Sequence, residues 1–262
     1  MSFKIIAALS LMLILLANVV PANASQDNAQ SPAAQYQRLL DEYEAGAKAP
    51  ELAAQFLKLA EQHPSDPVAI DSLVWVLTKL RTRPEAVHAL DLLQRDHLHH
   101  EQFAAACRHV ARTPALAAEK LLRTALEKSR NEMVRGQACR QLAFLLDQQA
   151  SVVDQLKKEP ESADRVMQFY GAEYGKHLKS LDREPLEKKR EQHYELMLKS
   201  FADVPTSDGK LGEIAEKALF HIRHLSIGRV APEIVGEDIF GKTFKLSDHR
   251  GKVVVLSFWG HW

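Results

Sequence analysis

From residue 36 to about residue 225, strong helix formers dominate the sequence, and apolar side chains recur at three- and four-residue spacing. Strand signals are nearly absent from this stretch. The clearest helix start lies in HPSDPVAIDSLVWVLTKL, where Ser65 or Asp66 can cap the helix and Pro67 suits its first turn. Two further stretches open in the same way: RTPALAAEKLLRTALEK, at Thr113 and Pro114, and TRPEAVHALDLLQ. This pattern predicts a domain built from helices.

The helix signals recur with a regular period. Pro84 and Pro114 lie about 30 residues apart, and Trp75, Cys107 and Cys139 follow one another at intervals of about 32, each inside a predicted helix. Tetratricopeptide arrays have a similar period of about 34 residues, although their consensus residues are absent here. The predicted fold class is therefore mainly α, with a helical-repeat-like domain of paired antiparallel helices.

The later helical part is more polar. From Val153 to Phe201, apolar faces alternate with dense charge, and Gly171 and Gly175 interrupt the pattern, which predicts a long, solvated helical hairpin. The stretch GEIAEKALFHIRHLSIG then predicts one more amphipathic helix that stops at Gly228. Its predicted buried residues are Ile214, Ala218, Phe220, Ile222 and Leu225.

The first 24 residues differ in character from the rest. Lys4 precedes an apolar run over residues 5–20, a helix-breaking Pro21 and the small residues that end at Ala24. This is the plan of a secretory signal, with cleavage expected after Ala24. An uncleaved amino-terminal anchor is the alternative. We therefore expect an exported protein of the periplasm or cell envelope, with residues 25–35 as a flexible leader.

The pattern changes at Val230. Two short extended runs flank Phe240-Gly241-Lys242, which indicates a β-hairpin, and Ser247-Asp248 can cap a single helical turn. The run KVVVLSFW that follows is continuously apolar, as in a strand covered on both faces. The sequence thus predicts a second unit that begins with a hairpin and a first buried strand.

The stretch GKTFKLSDHRGKVVVLSFWGHW resembles the opening of bacterial exported thioredoxin-like proteins, the thiol-disulfide interchange group related to the TlpA, ResA and AhpC/TSA proteins. In that family, a similar stretch leads at once to C-x-x-C. Trp259 and Trp262 match the two tryptophans of the motif, and Gly260 stands where alanine is common. His261 occupies a variable position between them.

The resemblance implies a thiol-disulfide oxidoreductase whose first reactive cysteine follows Trp262. Helical residues 36–227 would then precede an incomplete thioredoxin-like domain over residues 228–262, cut before its redox motif and expected to be inactive. Protein thiols or disulfides are the implied partners, and no cofactor is implied. The alternative is an exported helical interaction module without catalysis, which binds a peptide or protein partner on its stacked helices.

The two cysteines do not form a redox motif by their spacing. Cys107 and Cys139 lie in separate predicted helices, so they are either a structural disulfide between neighbouring helices or two buried thiols. No metal site is expected either. The cluster of His97, His99 and His100 lacks converging ligands, and the pair His221 and His224 has no third ligand.

Charge and motifs exclude other function classes. The 34 basic residues are matched by 34 acidic ones, so no global field draws the protein to nucleic acid. The sequence contains no glycine-rich phosphate loop, no G-x-S-x-G elbow and no H-E-x-x-H pair. Nucleotide, serine-hydrolase and zinc-protease functions therefore have no support.

Overall fold

The structure is a computed structural model that describes residues 31–260. The predicted signal at residues 1–24 lies outside these residues. Within residues 31–260, no helix combines the length and apolar character that a membrane crossing requires. The described chain is mainly α, as predicted, with two small antiparallel hairpins.

The described residues contain eleven α-helices, three short helical turns and four short strands. The α-helices are α1 Pro32–Glu44, α2 Ala49–Gln62, α3 Pro67–Lys79, α4 Pro84–Asp96, α5 Phe103–Ala111, α6 Leu116–Lys128, α7 Glu132–Lys158, α8 Ala163–Tyr170, α9 Ala172–Lys179, α10 Arg183–Ser200 and α11 Leu211–Phe220. The helical turns are Pro160–Ser162, His221–Leu225 and Leu246–His249. The strands are β1 Pro205–Thr206, β2 Gly209–Lys210, β3 Val235–Glu237 and β4 Thr243–Lys245.

Local capping explains several helix starts. The Asp66 carboxylate accepts a hydrogen bond from the backbone N–H of Val68 at 3.0 Å, and Pro67 opens α3 as predicted. At α1, Ser31 caps in the same way with Pro32 as the first residue. Residues 32–35, which the sequence assigned to a flexible leader over residues 25–35, are therefore helical, and residues 25–30 lie outside the described residues.

The start of α6 differs from the prediction. The helix begins at Leu116, and its capping residue Ala115 contributes no side-chain bond. The hydroxyl of Thr113, which the sequence placed as a cap, donates backwards to the carbonyl oxygen of His109 at 3.0 Å. Because Thr113 thus closes the end of α5, it does not open α6.

The helices between α2 and α7 stack as a repeat. Consecutive helices pack together at α2 and α3, α3 and α4, α5 and α6, and α6 and α7. Helices two apart also pack together, α2 on α4 on α6 and α3 on α5 on α7. Thr78 contacts His109 and Arg81 contacts Arg112, each across 31 residues of sequence. Equivalent positions of successive pairs therefore meet, which confirms the helical-repeat prediction.

The largest core cluster fills this stack. Trp75 and Phe56 stack with ring centroids 4.0 Å apart, and Tyr43 meets Trp75 edge-on at 5.4 Å. Leu77 and Leu73 are fully buried beside them. Burial of these large side chains provides most of the stabilisation, as expected for a repeat whose single helix pairs cannot bury their own apolar faces.

The long helices α7 and α10 pack against each other, but α7 already begins at Glu132, so the helical hairpin predicted for residues 153–201 is wrong in its extent. Arg183 pairs with Asp154 and Arg190 with Asp147, so the charged residues of this region link two antiparallel helices at the surface. Between α7 and α10 lie the short helices α8 and α9, which meet at Gly171 with a φ of +83°, a conformation that favours glycine.

Two predictions for this region are wrong. Gly175 does not interrupt a helix but lies inside α9, where an added Cβ would be only 3.1 Å from the Cα of Met167. The buried face of α11 is a different one, because Leu211 is tied to the carbonyl oxygen of Val204 and sets the register. Its buried apolar residues are Leu211, Ala215 and Leu219, whereas Phe220 and Leu225 are exposed and Ile214, Ala218 and Ile222 are half-buried.

Candidate functional site

The carboxy-terminal hairpin matches its prediction. Strands β3 and β4 pair antiparallel, with Gly236 opposite Phe244. The loop between them is closed by Asp238, whose carboxylate accepts hydrogen bonds from the backbone N–H groups of Phe240 and Lys242, both at 2.9 Å. A short polar side chain that binds its own backbone is typical of such turns.

The turn after β4 is also where the sequence predicts it. The backbone N–H of Ser247 donates to the carboxylate of Glu233 at 3.0 Å. The side-chain hydrogen bond of Ser247, together with this backbone bond, holds the pKa of Glu233 below its ordinary value. The carboxylate of Asp248 accepts from the N–H of Lys245 at 2.9 Å. Together these contacts fix the conformation of the turn that connects the hairpin to the apolar run.

The apolar run itself differs from the prediction. The structure assigns no strand between residues 252 and 260, and the exposed fraction is 97% for Val253 and 85% for Trp259. Gly260 is exposed as well, and His261 and Trp262 lie outside the described residues. A strand becomes buried only against neighbouring strands and covering helices, and residues 31–260 supply neither to this segment.

The two cysteines are free and buried in different core clusters. Cys107 lies in α5 within the stacked pairs, and Cys139 lies in α7 where α10 and α11 pack against it. The structure thus has separate thiols, the second of the two alternatives. Burial raises the pKa of each thiol to about 12, so neither forms the thiolate that attacks a disulfide at neutral pH.

A contact between Cys139 and His193 was missed by the sequence reasoning. The Cys139 thiol donates to the backbone carbonyl oxygen of His193 at 3.3 Å, and its sulfur lies 3.7 Å from the ring nitrogen Nδ1. Burial lowers the pKa of His193 to about 4. Because burial favours the neutral form of both partners, this is a structural contact and not an activated thiolate–imidazolium pair.

The histidine clusters do not form a metal centre. Within the described part of the chain, no three His, Cys, Asp or Glu side chains lie close enough together to hold a metal ion. His97 is buried at the end of α4, and its ring meets that of His100 edge-on at 6.4 Å. His221 and His224 lie exposed on the helical turn after α11.

The helical region contains a cavity of about 300 Å³ where the loops before α4 and α6 meet α7, α8 and α9. Aromatic side chains form much of its wall, among them Phe144, Tyr170 and Tyr174, and Arg81 and Arg112 lie on its rim. A neighbouring cavity of about 670 Å³ shares Arg81, Tyr170 and Tyr174 with it.

A polar network closes the cavity on the inner side. Gln149 donates from Nε2 to the carboxylate of Glu119 at 3.1 Å and to the hydroxyl of Tyr174 at 3.2 Å. Arg123 binds the same carboxylate at 2.6 Å. Burial alone would raise the pKa of Glu119, but the hydrogen bonds from Arg123 and Gln149 hold it below its ordinary value. A charged, paired carboxylate therefore fixes the orientation of the Gln149 amide.

These features define a mainly α protein of stacked helix pairs, followed by a β-hairpin and an exposed apolar segment. The chain is similar over 38 residues to curated proteins named thiol-disulfide oxidoreductase ResA. The identity is 45% to the protein of Geobacillus thermodenitrificans and 47% to those of Geobacillus kaustophilus and Bacillus cereus. No family model and no solved structure matches the chain.

This similarity is local. It covers 14% of this chain and 22% of each of these relatives, so the chain spans less than a quarter of their length. The comparison therefore links one short stretch of the sequence to thiol-disulfide oxidoreductases.

Proposed function

We propose that residues 1–262 belong to a thiol-disulfide oxidoreductase in which the helical domain, residues 36–227, precedes a thioredoxin-like unit that begins at residue 228. The observation that carries this proposal is the 38-residue similarity to proteins named thiol-disulfide oxidoreductase. The hairpin at β3 and β4 and the turn that follows it agree with the opening of such a unit.

The proposed chemistry needs a cysteine pair that is not among the buried thiols. In our proposal this pair follows Trp262, with Trp259 and Trp262 flanking the approach to it. The first thiolate attacks one sulfur of a partner's disulfide, forms a mixed disulfide and releases one partner thiolate. The second cysteine then attacks the first, which releases the other partner sulfur. Two electrons pass to the partner, whose two thiolates take up protons from water, and an internal disulfide remains.

We also propose that the protein is exported to the periplasm or cell envelope. The signal pattern of residues 1–24 supports this, and a thiol-disulfide enzyme acts where protein disulfides persist. The helical domain would select the partner protein, since stacked helix pairs provide extended binding surfaces. Residues 1–262 alone carry no exposed thiol and are expected to be inactive.

Reading the coding DNA past the codon for Trp262 tests the redox assignment. The proposal expects two cysteine codons separated by two others immediately downstream. A downstream reading without paired cysteines in any frame contradicts it.

A helical interaction module without catalysis is the second candidate. The two adjoining cavities that share Arg81, Tyr170 and Tyr174 favour it, because they form a surface of suitable size for a peptide segment. The same DNA reading separates the two candidates. The interaction module requires a stop codon after Trp262 and no similarity to thioredoxin-like proteins in the DNA beyond it.

A further inference from the structure

Two arginines that line the smaller cavity, Arg81 and Arg112, have no anionic partner within residues 31–260. Within residues 31–260, neither Arg81 nor Arg112 takes part in any of the ion pairs that other arginines form. The Nε of Arg81 donates to the backbone carbonyl oxygen of Arg112 at 2.8 Å, and its Nη2 donates to the same oxygen. These bonds hold the two residues together and leave Nη1 of Arg81 as the donor that faces no partner among the described residues. The guanidinium of Arg112 lies over the ring of Phe144, 5.5 Å from its centroid.

The lining of this cavity suits an anion attached to an apolar group. None of its lining residues is acidic, and the nearby carboxylate of Glu119 is already bound by Arg123. Phe144, Tyr170 and Tyr174 offer aromatic surface in the same cavity. Arginine is the side chain best suited to bind a carboxylate, because its planar N–H groups match the two oxygens.

Gln149 adds one hydrogen-bond acceptor. Its side chain is almost wholly buried, with an exposed fraction of 3% for the residue. Because the Glu119 carboxylate and the Tyr174 hydroxyl both take bonds from Nε2, the amide orientation is fixed and Oε1 accepts no hydrogen bond from the described residues. This oxygen can accept from a peptide N–H group of a ligand in the cavity.

We propose that this cavity binds the carboxy-terminal residue of a partner peptide, one with a large apolar side chain. The two guanidinium groups bind the terminal carboxylate, the aromatic wall surrounds the side chain, and Gln149 accepts from the backbone N–H. A volume of about 300 Å³ is at the small end for ligand sites and suits one residue, and the neighbouring cavity of about 670 Å³ takes the residues before it. The inference rests on the proposed role of the helical domain in selecting a partner.

The test is a fluorescence anisotropy titration of the full chain with an amino-terminally fluorescein-labelled peptide that ends in Ala-Leu-Phe. The peptide is made once with a free carboxylate and once as the carboxamide. We expect saturable binding of the carboxylate form and about tenfold weaker binding of the amide, the size of one exposed charge-assisted contact. Replacing the last Phe by Ser is expected to weaken binding about tenfold as well.

Variants locate the site. Arg112→Gln and Arg81→Gln are each expected to weaken binding of the carboxylate peptide about tenfold and to weaken binding of the carboxamide peptide much less. Arg130→Gln is the matched control, since Arg130 is an exposed arginine outside the cavity that likewise forms no ion pair with the part of the chain that the structure describes. Circular dichroism melting establishes that each variant is folded.

Several outcomes contradict the inference. These are equal binding of acid and amide, no saturable binding of either, an Arg130→Gln effect as large as that of Arg112→Gln, or displacement of the peptide by an equal concentration of 3-phenylpropionate. The last would assign the cavity to small apolar acids. The assay contains no added thiol or disulfide, so its outcome does not bear on the proposed redox function. Conversely, absence of cysteine codons downstream of Trp262 would contradict the redox function without contradicting peptide binding.

Discussion

Replacing His193 with glutamine is expected to reduce the loss of unfolding free energy between pH 7 and pH 4. The imidazole is held between α10 and α7, next to the buried thiol of Cys139. Burial is the main cause of its lowered pKa, the positive charge of Arg123 adds to it, and Glu119 acts in the opposite direction. The folded protein therefore binds this proton less readily than the unfolded chain does.

The magnitude follows from the shift. The pKa of His193 falls from 6.5 to about 4 on folding. Stability from the neutral ring is fully present above pH 6.5 and is lost as the pH falls towards 4, because only the unfolded chain takes up the proton in this window. At about 1.4 kcal/mol per pKa unit the upper limit is about 3 kcal/mol, and about 2 kcal/mol remains after allowance for the partial exposure of the ring.

Urea unfolding followed by circular dichroism at several pH values between 7 and 4 measures this effect. The wild type is expected to lose about 2 kcal/mol more unfolding free energy over the window than His193→Gln. Other titrating groups are common to both proteins and cancel in the difference. His221→Gln, at an exposed histidine, shows what loss of an imidazole does elsewhere. Parallel curves for the wild type and His193→Gln would show that burial of this imidazole does not cause the acid loss of stability.

Further predictions concern the thiols, the apolar tail and the core. Cys107 and Cys139, each with a pKa of about 12, are expected to react with Ellman's reagent only after unfolding; rapid labelling of native protein would show that one is accessible. Deleting residues 230–262 is expected to improve solubility with little change in helical circular dichroism, and loss of cooperative unfolding would mean that the tail is part of the core. Phe56→Ala, which removes a fully buried ring, is expected to lower the unfolding free energy measured in urea by about 4 kcal/mol. A comparable loss in the control Val87→Ala, at an exposed side chain, would show that burial of the ring is not the cause.

Local chemistry explains which parts of the fold could be predicted. The caps at Asp66 and the hairpin closed by Asp238 depend on neighbours within four residues, and both are where the sequence places them. The start of α6 was misplaced because the Thr113 hydroxyl can either donate backwards to a carbonyl oxygen or accept from a backbone N–H ahead of it, and sequence alone does not rank the bond to His109 against the cap. The face of α11 was wrong because a tertiary bond at Leu211 sets its register.

The candidate sites depend on residues far apart in the chain. Cys139 and His193 are separated by 54 residues, and neither belongs to a motif that would have linked them. Arg81 and Arg112 are separated by 31, the period of the repeat, and that spacing was the one signal that could have placed them side by side. The motif up to Trp259 was read from its resemblance to thioredoxin-like proteins, and burial of its apolar run depends on strands and helices that residues 31–260 do not provide.

The most direct test of the central claim is insulin reduction by the complete gene product, translated from its natural coding sequence past Trp262, with dithiothreitol as reductant. We expect a rate clearly above the uncatalysed background, lost when the first cysteine after Trp262 is replaced by serine and kept when Cys107 and Cys139 are replaced. A background rate, or a rate that depends on Cys107 or Cys139 instead, would contradict it.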